Sequence, residues 1–348
     1  MAVLDLVWFA SLGLSALSLA TMLVLVGRRR IVDKRVRRDK GRSAELLTGI
    51  LDHLEPDGGG FPFANISARD RELVGGLVGE VMRLVRGDDL ARLTELLRGL
   101  GTVESAQAKL KNGSDHQREQ AAETLANFPD PAVLEALDRA LDDGSARVRL
   151  AAAVSLSHCG HPPRFDRIVE AMGRCVSGSQ SRRLRTLYRE VAAAHPDQAV
   201  ALAGEALEPA TRVLIIDALG GIGDYRVLPA LLAAARDADM EVRAAGFRSL
   251  SQLGHPAAAA VVAEGLRDAA WPVRAQAALC VGQIDLAEMV PELERLLGDP
   301  EWWVRFRAAE ALFDLGEEGR EVLAALRDEA TPAGNIAQLI LAEKRAAP

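Results

Sequence analysis

Few residues of this 348-residue chain have the types and spacing that a catalytic or metal site needs. The stretch His158-Cys-Gly-His161 brings two imidazoles and a thiol together, and zinc accepts both kinds of ligand. However, Cys159 falls in an apolar column of a repeat, and His161 precedes a proline, as two other histidines do. Gly220-Gly-Ile-Gly223 offers glycines of the kind that cradle phosphate, but no predicted strand precedes it. The sequence therefore predicts neither a bound metal ion nor a nucleotide.

Motifs typical of enzymes are absent from the sequence as well. No Gly-rich loop leads into Lys-Ser/Thr, and there is no His-Glu-x-x-His, Gly-x-Ser-x-Gly or Cys-x-x-Cys. The three cysteines, Cys159, Cys175 and Cys280, are too widely spaced for a disulfide framework and fit a reducing compartment. We expect a protein that is not an enzyme and that has no cofactor or small-molecule substrate.

Tryptophan is the residue type that most clearly suggests binding. Trp271 and Trp302 lie 31 residues apart, and Trp303 is adjacent. An exposed tryptophan is a favoured anchor for a protein partner, so these three residues are the candidates for partner binding. The alternative is that the rings seal the C-terminal end of the hydrophobic core, and the sequence leaves both interpretations open.

The 31-residue spacing of the tryptophans belongs to a repeat that runs through most of the chain. An arginine recurs at this interval, with Ser181 in place of one copy, at Arg118, Arg149, Arg212, Arg243, Arg274 and Arg305. Residues three, seven and ten positions after each arginine slot are mostly small or apolar, which gives each helix one buried face. A second apolar stretch follows each time, so the sequence predicts seven stacked helical hairpins. The low aromatic content of 4% also argues against an all-β fold.

Aspartates recur six residues before four of the arginines, at Asp143, Asp237, Asp268 and Asp299. At these residues the chain resembles the HEAT-like repeats, of the kind also seen in phycobilin lyase subunits. The resemblance covers residues 115–330, and residues 296–316 match the pattern well. It implies an all-α fold, an α-solenoid, in which the aspartates and arginines form a structural ladder across neighbouring turns. Because Ser181 departs from the pattern, we expect the ladder to be interrupted near the third repeat.

The net charge of −7 is distributed unevenly over three segments of the chain. Residues 1–27 carry −1, residues 28–42 carry +7 and residues 43–348 carry −13. An acidic body of this size would repel nucleic-acid phosphates, so the basic groove of HEAT-like DNA glycosylases is not expected. None of the six histidines precedes a glutamate, so the iron-binding pairs of HEAT-repeat hydroxylases are absent too.

The first 27 residues predict a transmembrane helix. Residues 6–26 carry no charge over 21 positions, which at 1.5 Å per residue is enough to span a hydrocarbon core of about 30 Å. The basic residues follow this stretch instead of preceding it, which favours a retained anchor over a cleaved signal peptide. Because Lys and Arg are retained on the cytoplasmic side, the basic band at 28–42 predicts an outside N-terminus and cytoplasmic repeats.

Two features of this anchor suggest contacts within the membrane. Ser11, Ser15 and Ser18 lie on one face of the predicted span, where small side chains would let a second membrane helix approach. Alternatively, these serines bond to their own helix carbonyls and face lipid. The basic band could hold anionic lipid headgroups in addition to setting the topology.

The sequence thus predicts five segments with one combined role. They are an anchor at 1–27, a basic juxtamembrane segment at 28–42, a helical cap at 43–111, seven HEAT-like repeats at 112–330 and a capping tail at 331–348. We expect a single-pass inner-membrane scaffold that binds a membrane-associated protein partner. Membrane-anchored bacterial HEAT-repeat proteins of this organisation resemble accessory subunits of membrane enzymes such as glycosyltransferases. The alternatives are a bilin-lyase-like ligand-handling protein and a membrane-tethered nucleic-acid binder.

Overall fold

The computed structural model describes residues 41–49, 87–173 and 181–346, together with Met22, Ser67, Asp70 and Val74. All regular structure in these residues is helical, without any strand. The predicted anchor, with Ser11, Ser15 and Ser18, and nearly all of the basic band lie outside the described residues. Within the described part of the chain, no helix combines the length and the apolar character needed to cross a membrane.

The chain divides into two compact units, residues 1–109 and 110–348. In the first unit, residues 41–49 are helical, and Arg42 forms an ion pair with Asp70 at 3.2 Å. The Asp70 N–H donates a hydrogen bond to Ser67 Oγ at 3.1 Å, as a helix-capping serine does. Helix α1 (Asp88–Gly99) follows, and after a tight turn helix α2 (Thr102–Asn112) runs across the boundary at residues 109 and 110.

The described residues of the second unit form seven helical hairpins, which we call repeats 1 to 7, and a final helix. The first helices of the repeats are α3 (Asp115–Leu125), α5 (Ala146–His158), α7 (Ser181–Ala194), α9 (Pro209–Gly220), α11 (Met240–Leu253), α13 (Trp271–Ile284) and α15 (Trp302–Asp314). The second helices are shorter: α4 (Pro131–Arg139), α6 (Phe165–Met172), α8 (Pro196–Ala203), α10 (Leu228–Ala234), α12 (Ala259–Gly265), α14 (Val290–Leu296) and α16 (Glu317–Leu326). Helix α17 (Pro332–Ala346) packs against α15 and α16 and covers the end of the stack.

Consecutive first helices stack directly on one another, and the second helices of repeats 1 and 3 to 6 pack mainly against the first helix of the next repeat. The stacking is tight because small residues face the neighbouring repeat. A Cβ atom on Gly246 of α11 would lie only 2.6 Å from the backbone nitrogen of Ala235, so glycine is required there. The apolar positions seven residues after each arginine slot are all buried: Leu125, Leu156, Tyr188, Leu219, Leu250, Val281 and Leu312. The predicted all-α repeat fold is confirmed for this unit.

In repeats 2 and 4 to 7, a residue with positive φ lies in the turn from the first helix to the second helix. Gly254 has φ +67° and closes α11, and its N–H donates to the Leu250 carbonyl. Asp285 holds the corresponding place after α13 with φ +62°, a conformation that aspartate tolerates better than most side chains. These residues mark where the first helices of their repeats end.

Candidate functional site

The arginines and aspartates of the repeat form an ordered ladder, which we call the arginine ladder. Arg243 at the start of α11 donates from Nε and Nη2 to the two carboxylate oxygens of Asp268, at 2.8 and 2.9 Å. Its Nη1 donates to the backbone carbonyls of Asp237 and Ala238, at 2.9 and 3.0 Å. Each rung therefore joins the first helix of one repeat to the turn that opens the next repeat. The same carboxylate contact is made by the pairs Arg118–Asp143, Arg212–Asp237 and Arg274–Asp299.

The ladder aspartates also organise the turns in which they lie. Asp268 Oδ1 accepts the backbone N–H of Ala270, the residue just before α13, at 2.8 Å. Burial alone would raise the pKa of the Asp268 carboxyl, but hydrogen bonds from Arg243 and Ala270 and the nearby positive charges hold the pKa below its ordinary value. The carboxylate is therefore ionised and fully engaged at neutral pH. The Asp268 carboxylate thus holds the turn and the rung together.

The ladder is interrupted in the middle of the stack. Arg149 of α5 donates from Nε to the carbonyl of Ala171 at 2.8 Å and from Nη1 to the carbonyl of Asp143 at 2.6 Å. The sequence places Arg174 at the position where the next aspartate would stand, and Ser181 takes the following arginine slot. Among the described residues, rungs therefore join repeats 1 and 2 and repeats 4 to 7. The last ladder arginine, Arg305, donates to the backbone carbonyls of the turn before it.

Among the described residues, the histidines and the cysteine at 158–161 do not form a metal site. In the residues that the structure describes, no three His, Cys, Asp or Glu side chains come together in a way that could hold a metal ion. Cys159 Sγ donates to the Ala126 carbonyl at 3.3 Å, and His161 Nδ1 lies 3.0 Å from the Cys159 carbonyl. Burial raises the pKa of the Cys159 thiol, and it raises the pKa of Cys280 to about 12. Both thiols are therefore protonated at neutral pH and are weak nucleophiles.

Trp302, Trp303 and Phe306 form an interlocked aromatic cluster at the start of α15. Trp302 stacks on Phe306, with ring centroids 5.1 Å apart and planes inclined by 19°. Trp303 meets Trp302 edge to face at 4.7 Å. Despite these contacts, Trp302 is 43% exposed and Trp303 is 52% exposed. The rings contact one another and are still partly exposed to solvent, so they do not lie in the core.

Trp271 extends this aromatic surface to the preceding repeat. It is the first residue of α13, as Trp302 is the first residue of α15, and it is 39% exposed. Met240 is the first residue of α11 and is 44% exposed. The three residues stand in one slot of repeats 5 to 7, three positions before the ladder arginine. We call Met240, Trp271, Trp302 and Trp303 the aromatic edge.

Met240 was not among the residues that the sequence singled out for binding. Its signal was present, because it occupies the same slot as the two tryptophans 31 and 62 residues later. In the repeats before it, this slot holds Asp115, Ala146, Gly178 and Pro209, which offer little or no apolar surface. The exposed apolar edge is therefore a property of repeats 5 to 7 and not of the repeat in general.

Comparison with known structures gives remote likenesses in fold. The chain is similar to the crystal structure of Kap121p, with 13% identity, a TM-score of 0.48, and 84% of this chain and 40% of that chain covered. For the karyopherin Kap121p bound to the extreme C-terminus of the protein phosphatase Cdc14p, the identity is 14%, the TM-score is 0.49 and the coverage is 84% and 39%. The chain thus spans about two fifths of these karyopherin chains.

A third similar structure is the complex of CpcE and CpcF of phycocyanin lyase from Nostoc sp. PCC7120. It shares 19% identity with a TM-score of 0.31, and the match covers 68% of this chain and 74% of that chain. No curated protein sequence matches the chain. The family model for HEAT repeats matches residues 103–181, 196–272 and 260–340. Since these matches cover well over half of the sequence, the chain belongs to the HEAT-repeat family.

Proposed function

We propose that this protein is a non-catalytic scaffold that binds a protein partner through the aromatic edge of repeats 5 to 7. The observation that carries the proposal is the exposure of three large apolar side chains in one slot of consecutive repeats. Burial of apolar area is the main source of binding energy at protein interfaces, and tryptophan is among the residues enriched at their energetic centres. Large exposed apolar patches mark interaction sites, and this slot places such side chains on three successive repeats.

The surroundings of the aromatic edge suit a protein interface. The ladder pair Arg243–Asp268 precedes Trp271 in the sequence, and the pair Arg274–Asp299 precedes Trp302. The charges of both pairs are already neutralised within the chain. Binding at the edge therefore does not require these charges to lose their partners. Glu301 is exposed beside Trp302 and gives the apolar surface a polar rim, as interfaces commonly have.

The partner in this proposal is another membrane protein at the cytoplasmic face of the inner membrane. The uncharged stretch at 6–26 and the basic band at 28–42 support an anchor that keeps the repeats close to the bilayer. Confinement near the membrane raises the effective concentration of proteins embedded there, which strengthens a modest interface. The protein would then act as an accessory subunit of a membrane enzyme, for which a glycosyltransferase is the class implied by resemblance.

Alanine substitutions at the aromatic edge test the binding surface. Trp271→Ala and Trp302→Ala should each reduce recovery of the partner from membranes in mild detergent by about tenfold or more, since each hot-spot residue contributes about 2 kcal/mol. Mass spectrometry of the wild-type eluate identifies the partner. Tyr225→Ala is the matched control, because this exposed ring lies outside the aromatic edge. Full recovery with both tryptophan variants would refute docking at the edge.

Reporter fusions test the membrane topology separately. A reporter that fluoresces only in the cytoplasm, fused after Pro348, should be active, and a reporter active only in the periplasm should be silent. Replacing the nine basic residues of 28–42 with glutamine should weaken this preference. The opposite pattern of reporter activity would overturn the proposed location and would leave the aromatic edge to be judged by its own experiment.

A further inference from the structure

Helix α7 of repeat 3 carries an arginine-rich face that its neighbours do not share. Arg182, Arg183, Arg185 and Arg189 are all exposed. Arg183 forms an ion pair with Glu123 of α3, two repeats earlier, at 2.9 Å. Arg182, Arg185 and Arg189 form no ion pair with any residue that the structure describes. We call these three residues the α7 arginine face.

The positions of these arginines in the repeat show that packing does not require them. Arg185 stands four residues after the arginine slot, where every other first helix has a small or apolar buried residue. Those residues are Ala122, Ala153, Ile216, Phe247, Ala278 and Ala309. On α7 this position is exposed instead, at the junction where the arginine ladder is interrupted. Because the other repeats have a buried apolar residue at this position, core packing does not explain the charge of Arg185.

Exposed arginines on other first helices form ion pairs, whereas the three of the α7 arginine face form none with the described residues. Arg248 of α11 pairs with Asp217 of α9 at 2.9 Å, and Arg307 of α15 pairs with Glu310 at 2.7 Å. Arg182, Arg185 and Arg189 follow one another at spacings of three and four residues, so they lie on one side of the helix. Like charges at these spacings repel each other. A bound anion would remove that repulsion.

The dimensions of this face indicate how long the anion should be. Arg182 and Arg189 are separated by about 10 Å along the helix axis at 1.5 Å per residue, which an extended peptide covers in three to four residues at about 3.3 Å each. Guanidinium groups bind carboxylates through paired hydrogen bonds. A long polyanion such as DNA would reach beyond these three arginines onto a body that carries −13 over residues 43–348.

We infer that the α7 arginine face binds a short acidic segment of a protein, with about three carboxylates within four residues. This site goes beyond the proposed docking at the aromatic edge, because it lies on a different repeat and selects by charge instead of apolar area. The two sites are tested with different variants, so the failure of one leaves the other standing.

Fluorescence anisotropy with the full-length protein in mild detergent tests the inference. The probe is a labelled peptide of consecutive glutamates, compared with a glutamine peptide of the same length and label. The wild type should bind the glutamate peptide and not the glutamine peptide. The triple variant R182Q/R185Q/R189Q should weaken binding about tenfold or more, since it removes charge-assisted hydrogen bonds.

The matched control is the triple variant R226Q/R236Q/R267Q, which removes three positive charges from exposed arginines of repeats 4 and 5. It should weaken binding less than twofold. Equal weakening by the two triple variants would show a general field effect and overturn the site. No binding by the wild type would also overturn it, as would tighter binding of single-stranded DNA of equal charge that the α7 variant abolishes.

Helical circular dichroism verifies that the α7 variant is folded, which we expect because its side chains are exposed. A second triple variant, R182K/R185K/R189K, keeps the charge and loses the planar guanidinium groups. It should bind the glutamate peptide with an affinity between those of the wild type and the glutamine variant. Wild-type affinity in the glutamine variant would refute the inference whatever the lysine variant does.

Discussion

Breaking the ladder rung between Arg243 and Asp268 should destabilise the repeats far more than breaking the surface pair between Arg236 and Glu264. The two pairs have nearly the same bond geometry. Arg243 donates two hydrogen bonds to Asp268 at 2.8 and 2.9 Å, and Arg236 donates two to Glu264 at 2.8 and 2.7 Å. They differ in burial, because the side chains of the rung are 18% and 16% exposed and those of the surface pair are 51% and 56% exposed.

The expected coupling energy of the rung follows from this burial. A hydrogen bond that involves a charged group contributes about 1.5–3 kcal/mol when water is largely excluded. Because the two bonds of the rung share one pair of side chains and keep some solvent contact, we expect a coupling of about 2 kcal/mol between Arg243 and Asp268. The surface pair is screened by water and by salt and orders two long side chains, so its coupling should be much smaller.

Two double-mutant cycles measure these couplings. Each cycle compares the wild type, the two single alanine variants and the double variant by urea unfolding, followed by circular dichroism and by tryptophan fluorescence. Coincident transitions for the two probes justify a two-state free energy of unfolding. High salt should reduce the coupling of the surface pair more than that of the rung. A surface pair coupled as strongly as the rung would show that burial does not set the strength of the ladder.

Three further predictions concern the core, the helix contacts and acid stability. Leu250→Ala should lower the free energy of unfolding by roughly 2–5 kcal/mol, more than loss of a ladder arginine, in urea melts. Gly246→Ala should lower the free energy of unfolding by roughly 1–3 kcal/mol, because its Cβ would lie 2.6 Å from the Ala235 nitrogen. The control Gly144→Ala should lower it far less in the same melts, because no atom lies within 4 Å of the added Cβ. Since the pKa values of the ladder aspartates are lowered, their stabilisation is complete above the unfolded pKa of about 3.9 and is lost as the pH falls through the folded values. Asp268→Asn should therefore flatten the acid side of the stability profile.

The sequence predicts the repeat fold because one spacing governs several kinds of residue at once. The 31-residue interval relates the arginines, the buried leucines and the turns, so an error in one set would conflict with the others. The spacing does not show which atoms of the ladder meet. Asp268 lies six residues before Arg274 and offers it only a backbone carbonyl, while its carboxylate contacts Arg243 of the preceding repeat. The direction of a turn side chain depends on how repeats stack, which periodicity does not encode.

Exposure was the other property that the sequence left open. Trp302 and Leu250 are both large and apolar and both recur at 31-residue spacing in their own columns, yet Trp302 is exposed and Leu250 is buried. The spacing of the α7 arginines alone does not distinguish them from an ordinary solvated helix face. Only the stack shows that Arg185 occupies a position that is buried in every other first helix. Conclusions about binding surfaces therefore required knowledge of which side of each helix its neighbours cover.

Each ladder rung pairs an arginine of one repeat with an aspartate at the start of the next repeat. This direction of pairing affects how the chain can change its length during evolution. Each complete rung needs only an arginine from one repeat and an aspartate from the turn that opens the next. Within repeats 4 to 7, duplicating one whole unit recreates both halves at each new junction, whereas gaining part of a unit leaves an arginine facing the wrong turn. Selection on stability would therefore tolerate growth or loss there in steps of one repeat. The centre of the stack, where the sequence has Arg174 and Ser181 at the aspartate and arginine positions, is freer to diverge in sequence.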